Sequence, residues 1–193
     1  MKRILLLSFL FLFSAWGQEG SASPPASPPN PQKDMGTQVG LKEAIQVISS
    51  ARYTVDAYLP LLVSKEVAST LAALAKEKRV QVRVIVEDRA LSMPSTYLYS
   101  LVLLGVKYPI QVKVVSSTPG IDPRVIVDRN YLLVGGALEG IDSILSPTLL
   151  FRDPAFAQKE LSRFERTWQV APLCRPKIRY SLETRRLELG CSL

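Results

Sequence analysis

"GIDPRVIVDRNYLLVGG", residues 120–136, decides the reading of this chain. A β-branched apolar run, Val125 to Val127, ends at Asp128. Arg129-Asn130 follows, then a second apolar run from Tyr131 to Val134 and the pair Gly135-Gly136. Two short apolar runs joined by polar turn residues read as two strands of a hairpin. Any chemistry at this hairpin has to be done without imidazole, because none of the 193 residues is a histidine.

Upstream of it, strand and helix patterns alternate. "LKEAIQVISSA" carries Leu41, Ala44, Ile45, Ile48 and Ala51 at helical spacing. "RYTVDAYLP" reads as a strand stopped by Pro60. Ser64 is placed to cap a helix through Lys78, with Val67, Ala68, Leu71, Leu74 and Ala75 inward. Val80, Val82, Val84 and Val86 alternate as in a strand. Tyr97 to Leu104 predicts a helix ended by Gly105, and "IQVKVV" another strand. Tyr97, Tyr99 and Tyr108 read as packing under the sheet. Downstream, Pro154 suits a helix's first turn, with Ala155, Phe156, Leu161, Phe164 and Trp168 on the inner face. "KIRYSLETRRLEL" alternates like an edge hairpin between Cys174 and Cys191. Strands alternating with helices imply an α/β fold with a mixed β-sheet flanked by helices.

In order, "LKEAIQVISSARYTVDAYL", "LAALAKEKRVQVRVIVED", "LLGVKYPIQVKVV", "RVIVDRNYLLVGG" and "FRDPAFAQKELSRFERTW" resemble one half of the phospholipase D superfamily, over about Leu41 to Trp168. In size and single copy the chain looks most like that superfamily's small exported endonucleases, which carry one motif per chain and complete the active site across a homodimer. The family motif is H-x-K-x-x-x-x-D, with Gly-Ser seven residues on and an Asn soon after. There one His attacks phosphorus, a second protonates the leaving oxygen, and Lys and Asn neutralise phosphoryl charge.

On that pattern Asp128 fits the Asp, and Gly135 falls seven residues later. Without a gap, Ile121 stands at the His and Pro123 at the Lys; with a one-residue gap, Asp122 and Arg124 do. The ungapped placement also turns Arg124 to the sheet's other face, since strand neighbours alternate. Gly136 replaces the Ser and Leu138 the Asn. The resemblance therefore implies a kept scaffold with a degenerate motif at Asp122, Arg124, Asp128, Gly135 and Gly136, with Arg124 and Asp128 as candidate ligand contacts.

An alternative keeps catalysis: Asp122 or Asp128 as nucleophile forming an acyl phosphate, with Mg²⁺ and with Glu87 and Asp88 approaching. The plainer reading has Asp128 capping its turn and Glu87-Asp88 ending a strand at the surface. With no His and two Cys, a zinc site is not expected. Gly135-Gly136 lies in neither G-x-G-x-x-G nor G-K-[ST], so no nucleotide loop is indicated, and no cofactor is expected.

The N-terminus, with Lys2 and Arg3 before an apolar run from Ile4 to Trp16, reads as a signal peptide over residues 1–17. Residues 18–38 include "SASPPASPPNPQKD" and read as a disordered Pro/Ser-rich linker, with the folded domain spanning 39–193. Export to the periplasm or the outside follows, and there Cys174 and Cys191 are expected to pair, closing the tail 174–191 and contributing about 3 kcal/mol. The formal charge is +7, and +5 once Lys2 and Arg3 leave with the leader. This favours weak binding of an anion such as nucleic acid or a phospholipid headgroup, with Arg175, Lys177, Arg179, Arg185 and Arg186 forming a basic tail that otherwise is a solvated face.

Three functions are thus carried forward. The first is a catalytically inactive binding module for an anionic ligand or a protein partner. The second is a phosphodiesterase or nuclease with a non-histidine mechanism. The third is a structural subunit that pairs with itself or with a catalytically complete phospholipase D-like partner.

Overall fold

The alternating valines of residues 80–86 and the paired apolar runs of 124–134 form interior strands of one sheet. The structure is a computed structural model that describes residues 36–118, 120–140, 147–181 and 186–193. The expected leader and residues 18–35 of the expected linker lie outside the described residues. The first strand, β1 (Thr37–Val39), takes the last two residues assigned to that linker, so regular structure begins at Thr37 rather than near Val39.

The elements that follow are α1 (Leu41–Ser49), β2 (Thr54–Tyr58), α2 (Lys65–Glu77), β3 (Gln81–Glu87), α3 (Leu98–Leu104) and β4 (Ile110–Val115). Next come β5 (Arg124–Val127), β6 (Tyr131–Val134), β7 (Thr148–Phe151), α4 (Pro154–Val170), β8 (Arg175–Ser181) and β9 (Arg186–Ser192). Seven strands make one sheet in the order β1-β7-β6-β5-β2-β3-β4. β2, β3 and β4 are parallel, while β5, β6, β7 and β1 run antiparallel to their neighbours. The pairing changes sense between β2 and β5, where Tyr58 lies opposite Arg124.

Alternation sorts each strand between two cores. Val55, Ala57, Val82, Val84, Val86, Val125 and Val127 pack with the buried faces of α1, α2 and α3. Tyr58, Ile85, Ile126 and Leu132 face α4 through Ala157, Leu161, Phe164 and Trp168. Ser64 Oγ accepts from Val67 N at 3.3 Å and starts α2, whose buried residues are the five expected. Asp153 Oδ1 accepts from Ala155 N at 2.9 Å and, with Pro154, starts α4. Ala155 itself is exposed, contrary to the expectation, and Ala157 takes the inward position. The reason is periodicity: one turn back from Leu161 falls on residue 157.

β8 and β9 form a two-stranded sheet of their own, as the tail's alternation suggested for a hairpin. The Cys174–Cys191 disulfide closes it, with Cα atoms 5.0 Å apart. Leu173 lies opposite Lys113, and Cys174 N donates to Val112 O at 2.9 Å, which moors the hairpin to the edge strand β4.

Candidate functional site

The change of sense between β2 and β5 opens a cleft of about 210 Å³ between the sheet and α4. Tyr58, Ile85 and Arg124 reach it from the strands, Ile121 from the loop before β5, and Glu160, Arg163, Phe164 and Thr167 from α4. Arg124 and Ile126 share one face of β5, so the Arg124 guanidinium points at α4. Its NH1 donates to Glu160 Oε2 at 2.6 Å, and its Nε donates to Asp122 O at 3.2 Å. Arg163 NH1 donates to the other oxygen of Glu160 at 2.5 Å. Two cations thus converge on one half-buried carboxylate above a floor of Ile85, Ile121 and Phe164.

At the same end of the sheet, Tyr58 OH donates to Glu87 Oε1 at 2.9 Å. Burial and then this bond to a carboxylate push the Tyr58 phenol well above its ordinary pKa. Glu87 is not at the surface, as its sequence position suggested, but 1% exposed. Arg89 Nε lies 2.6 Å from Glu87 Oε2, off the hydrogen-bonding direction, so the contact is ionic without a made hydrogen bond. Deeper under α4, Arg83 Nε donates to Asp56 Oδ1 and its NH2 to Glu165 Oε1, both at 2.6 Å. The Arg83 guanidinium also lies over the rings of Phe164 and Trp168, at 5.2 and 5.3 Å. Burial raises the Asp56 pKa despite Arg83.

The motif positions fall in three places. Ile121 and Arg124 line the cleft together, whereas Asp122 is exposed and Pro123 contributes its carbonyl to Gly135 N at 2.9 Å. Asp128 sits at the far end of β5, beside the start of β2. It does not serve its own turn: Oδ2 accepts from Arg52 N at 2.9 Å, and Oδ1 from Tyr53 N and Thr54 N at 2.8 and 2.9 Å. Gly135 has φ 143°, and a Cβ there would overlap the Pro147 carbonyl oxygen, so only glycine fits. Gly136 and Leu138 are buried in a 3-10 turn that ends with Glu139. Glu139 accepts from Leu61 N and Leu62 N through Oε1 and from Val63 N through Oε2, at 2.9 to 3.1 Å. Burial raises the Glu139 pKa against the pull of these three donors.

Glu87 and Asp88 therefore stand at the opposite end of the sheet from Asp128 and do not approach it. Among the described residues, no three Asp, Glu or Cys side chains gather as metal ligands do. Sequence reasoning did not find Tyr58, Glu160, Arg163 or Thr167. The i, i+3 spacing of Glu160 and Arg163 was the available signal, but it is equally common on solvated helices.

No protein-family model matches the sequence, and no curated protein matches it. Solved structures do match its fold. Nuc from Salmonella typhimurium, a phospholipase D family member, superposes with a TM-score of 0.57 at 18% identity, covering 69% of this chain and 90% of that one. NucT from Helicobacter pylori gives 0.57 at 16% identity, covering 68% and 88%. TrmBL2, an archaeal chromatin protein with a novel mode of DNA binding, gives 0.52 at 10%, covering 74% and 55%. The chain has a phospholipase D-like fold.

Proposed function

We propose that this chain is an exported phospholipase D-superfamily protein that binds rather than cleaves, its cleft holding a phosphate-containing or other anionic ligand. One observation carries the reading: Arg124 and Arg163 converge on the Glu160 carboxylate over an apolar floor that includes Ile121. Glu160 occupies the place an external anion would take, between two guanidiniums suited to bidentate contact. No imidazole exists to attack phosphorus, and the Tyr58 proton is committed to Glu87. The leader-like N-terminus and the Cys174–Cys191 disulfide support export. Among the described residues, no helix is long and apolar enough to cross a membrane.

Two measurements test this. In the first, the purified protein is incubated with bis-p-nitrophenyl phosphate, plasmid DNA and phosphatidylcholine, with and without Mg²⁺ or Mn²⁺. No turnover above background is expected; turnover abolished by Asp128→Asn or Tyr58→Phe would establish an enzyme instead. In the second, a single-stranded oligonucleotide is titrated across a salt series. Binding should be weak and salt-sensitive, and Arg124→Ala should lower both affinity and log-log slope, by about 0.7 for each phosphate no longer neutralised. Glu160→Gln should tighten binding about fivefold by releasing both arginines, which matches about 1 kcal/mol for a partly exposed pair. Curves identical for all three proteins would remove the cleft as the binding site.

A further inference from the structure

The parallel strands β2, β3 and β4 start level with one another, at the end of the sheet opposite the cleft. Thr54 pairs with Gln81, and Val82 with Ile110. Tyr53 O and Pro109 O accept from Gln81 N and Val82 N, both at 2.9 Å. Thr54, Gln81 and Pro109 therefore share one level across three adjacent strands. Two residues before each of them stand Arg52, Arg79 and Lys107. Neighbouring strands lie about 4.8 Å apart, so these three positions form a row about 10 Å long across the end of the sheet.

The side chains agree with this placement. The Arg79 guanidinium and Lys107 Nζ, from neighbouring strands, lie over the same Tyr108 ring, at 5.7 and 5.5 Å from its centroid. Arg52, Arg79 and Lys107 are all exposed, and among the described residues none of them pairs with an acid. Arg83, Arg89, Arg124 and Arg163, by contrast, each meet a carboxylate. Asp128, the acid beside the row, has both oxygens taken by the amides of Arg52, Tyr53 and Thr54. Glu77, on the last turn of α2, pairs with none of the three cations. Next to Arg52, the Tyr53 side chain is 73% exposed.

A small anion would be satisfied by Arg79 and Lys107 and would leave the Tyr53 ring in water. An extended polyanion that carries flat bases satisfies the whole row: its phosphates meet the cations, and a base stacks on Tyr53. A duplex keeps its base faces covered, so an unpaired strand is the form that uses the ring. We propose that the amino ends of β2, β3 and β4 form a docking surface for single-stranded nucleic acid, separate from the cleft under α4. Phosphate contacts and stacking carry no base-edge readout, so the surface accepts any sequence.

The test is fluorescence anisotropy of a labelled oligothymidylate with protein carrying Arg124→Ala, which removes the cleft's candidate contact so that the two sites are read apart. Salt-sensitive binding is expected to persist in that background. Arg79→Gln and Lys107→Gln should each lower the log-log salt slope by about 0.7, one phosphate apiece. Tyr53→Ala should weaken binding about tenfold and leave the slope unchanged, whereas Tyr53→Phe should bind like its parent. All three side chains are exposed, so thermal unfolding should not move. Lys42→Ala, on the exposed start of α1, should also bind like the parent. Absence of binding, unchanged curves for Arg79→Gln and Lys107→Gln, or an effect of Lys42→Ala as large as theirs would overturn the proposal. So would a silent Tyr53→Ala, which would leave a row of cations open to any polyanion. Flotation with phosphatidylglycerol vesicles that the same variants abolish would overturn it too, by assigning the row to a membrane. An affinity unchanged by Arg124→Ala itself counts against the cleft and not against this surface.

Discussion

At the scale of single residues, Asp128 and Glu139 do the same job at the two ends of β2. Each carboxylate takes three successive backbone N–H groups, from residues 52–54 and 61–63. Asp128→Ala should cost about 2 kcal/mol, because Thr54 N is half-buried while Arg52 and Tyr53 are open to water. The left-handed φ of 49° adds to that cost in alanine and suits Asn better. Asp128→Asn should therefore lose less, and urea unfolding of the two variants checks the order. Glu139 gives a pH dependence. Its folded pKa is raised above the ordinary 4.5, so its contribution to stability is fully present below about pH 4.5 and lost as pH rises through the folded value. The difference in urea midpoint between wild type and Glu139→Gln should shift against the wild type over that rise. A difference that stays flat from acid to neutral pH would contradict the assignment.

At the scale of elements, α4 is the most informative. Its apolar face covers the sheet through Phe164 and Trp168, yet an ion triad of Asp56, Arg83 and Glu165 runs beneath it. The partners are unequal. Asp56 is 1% exposed with Oδ2 lacking a hydrogen bond, whereas the Glu165 side chain is 37% exposed. Arg83→Met should cost about 3–5 kcal/mol by stranding the Asp56 charge, while Glu165→Ala should cost under about 1 kcal/mol. The double variant Asp56→Asn/Arg83→Met should recover part of the loss, since it leaves no buried charge. Thermal denaturation of the three separates the effects. Periodicity made α1 to α4, the five apolar runs of β2 to β6 and the alternating tail legible in the sequence, and the helices and those five strands each bury a face. β1 and β7 were not legible. They have three and four residues, and they are strands only because they pair with each other and with β6. The site divided in the same way. Ile121 and Arg124 were nameable from the motif's spacing, but the bond from Arg124 to Glu160 spans 36 residues and that from Asp128 to Arg52 spans 76. No local pattern encodes either pairing.

At the scale of the molecule, the hairpin is an appendage on the β4 edge, held by the bonds around Leu173 and by one disulfide. Replacing Cys174 and Cys191 by Ser should lower stability by about 3 kcal/mol. The loss should appear as one cooperative transition shifted to lower urea, because Cys174 is buried in the main core. A separate early transition, read by proteolysis within the tail, would show that the hairpin melts independently. The three-amide seats of Asp128 and Glu139 have a longer reach. β2 is the strand on which the parallel and antiparallel halves of the sheet meet, and both of its ends are fastened. A slip of one residue would turn Asp56 and Tyr58 into the helical core and Val55 and Ala57 toward α4. To slide, the strand would have to break the amide hydrogen bonds at both ends at once. The two carboxylates are therefore stops against misregistration, an architectural task that Asp128 performs through backbone hydrogen bonds alone.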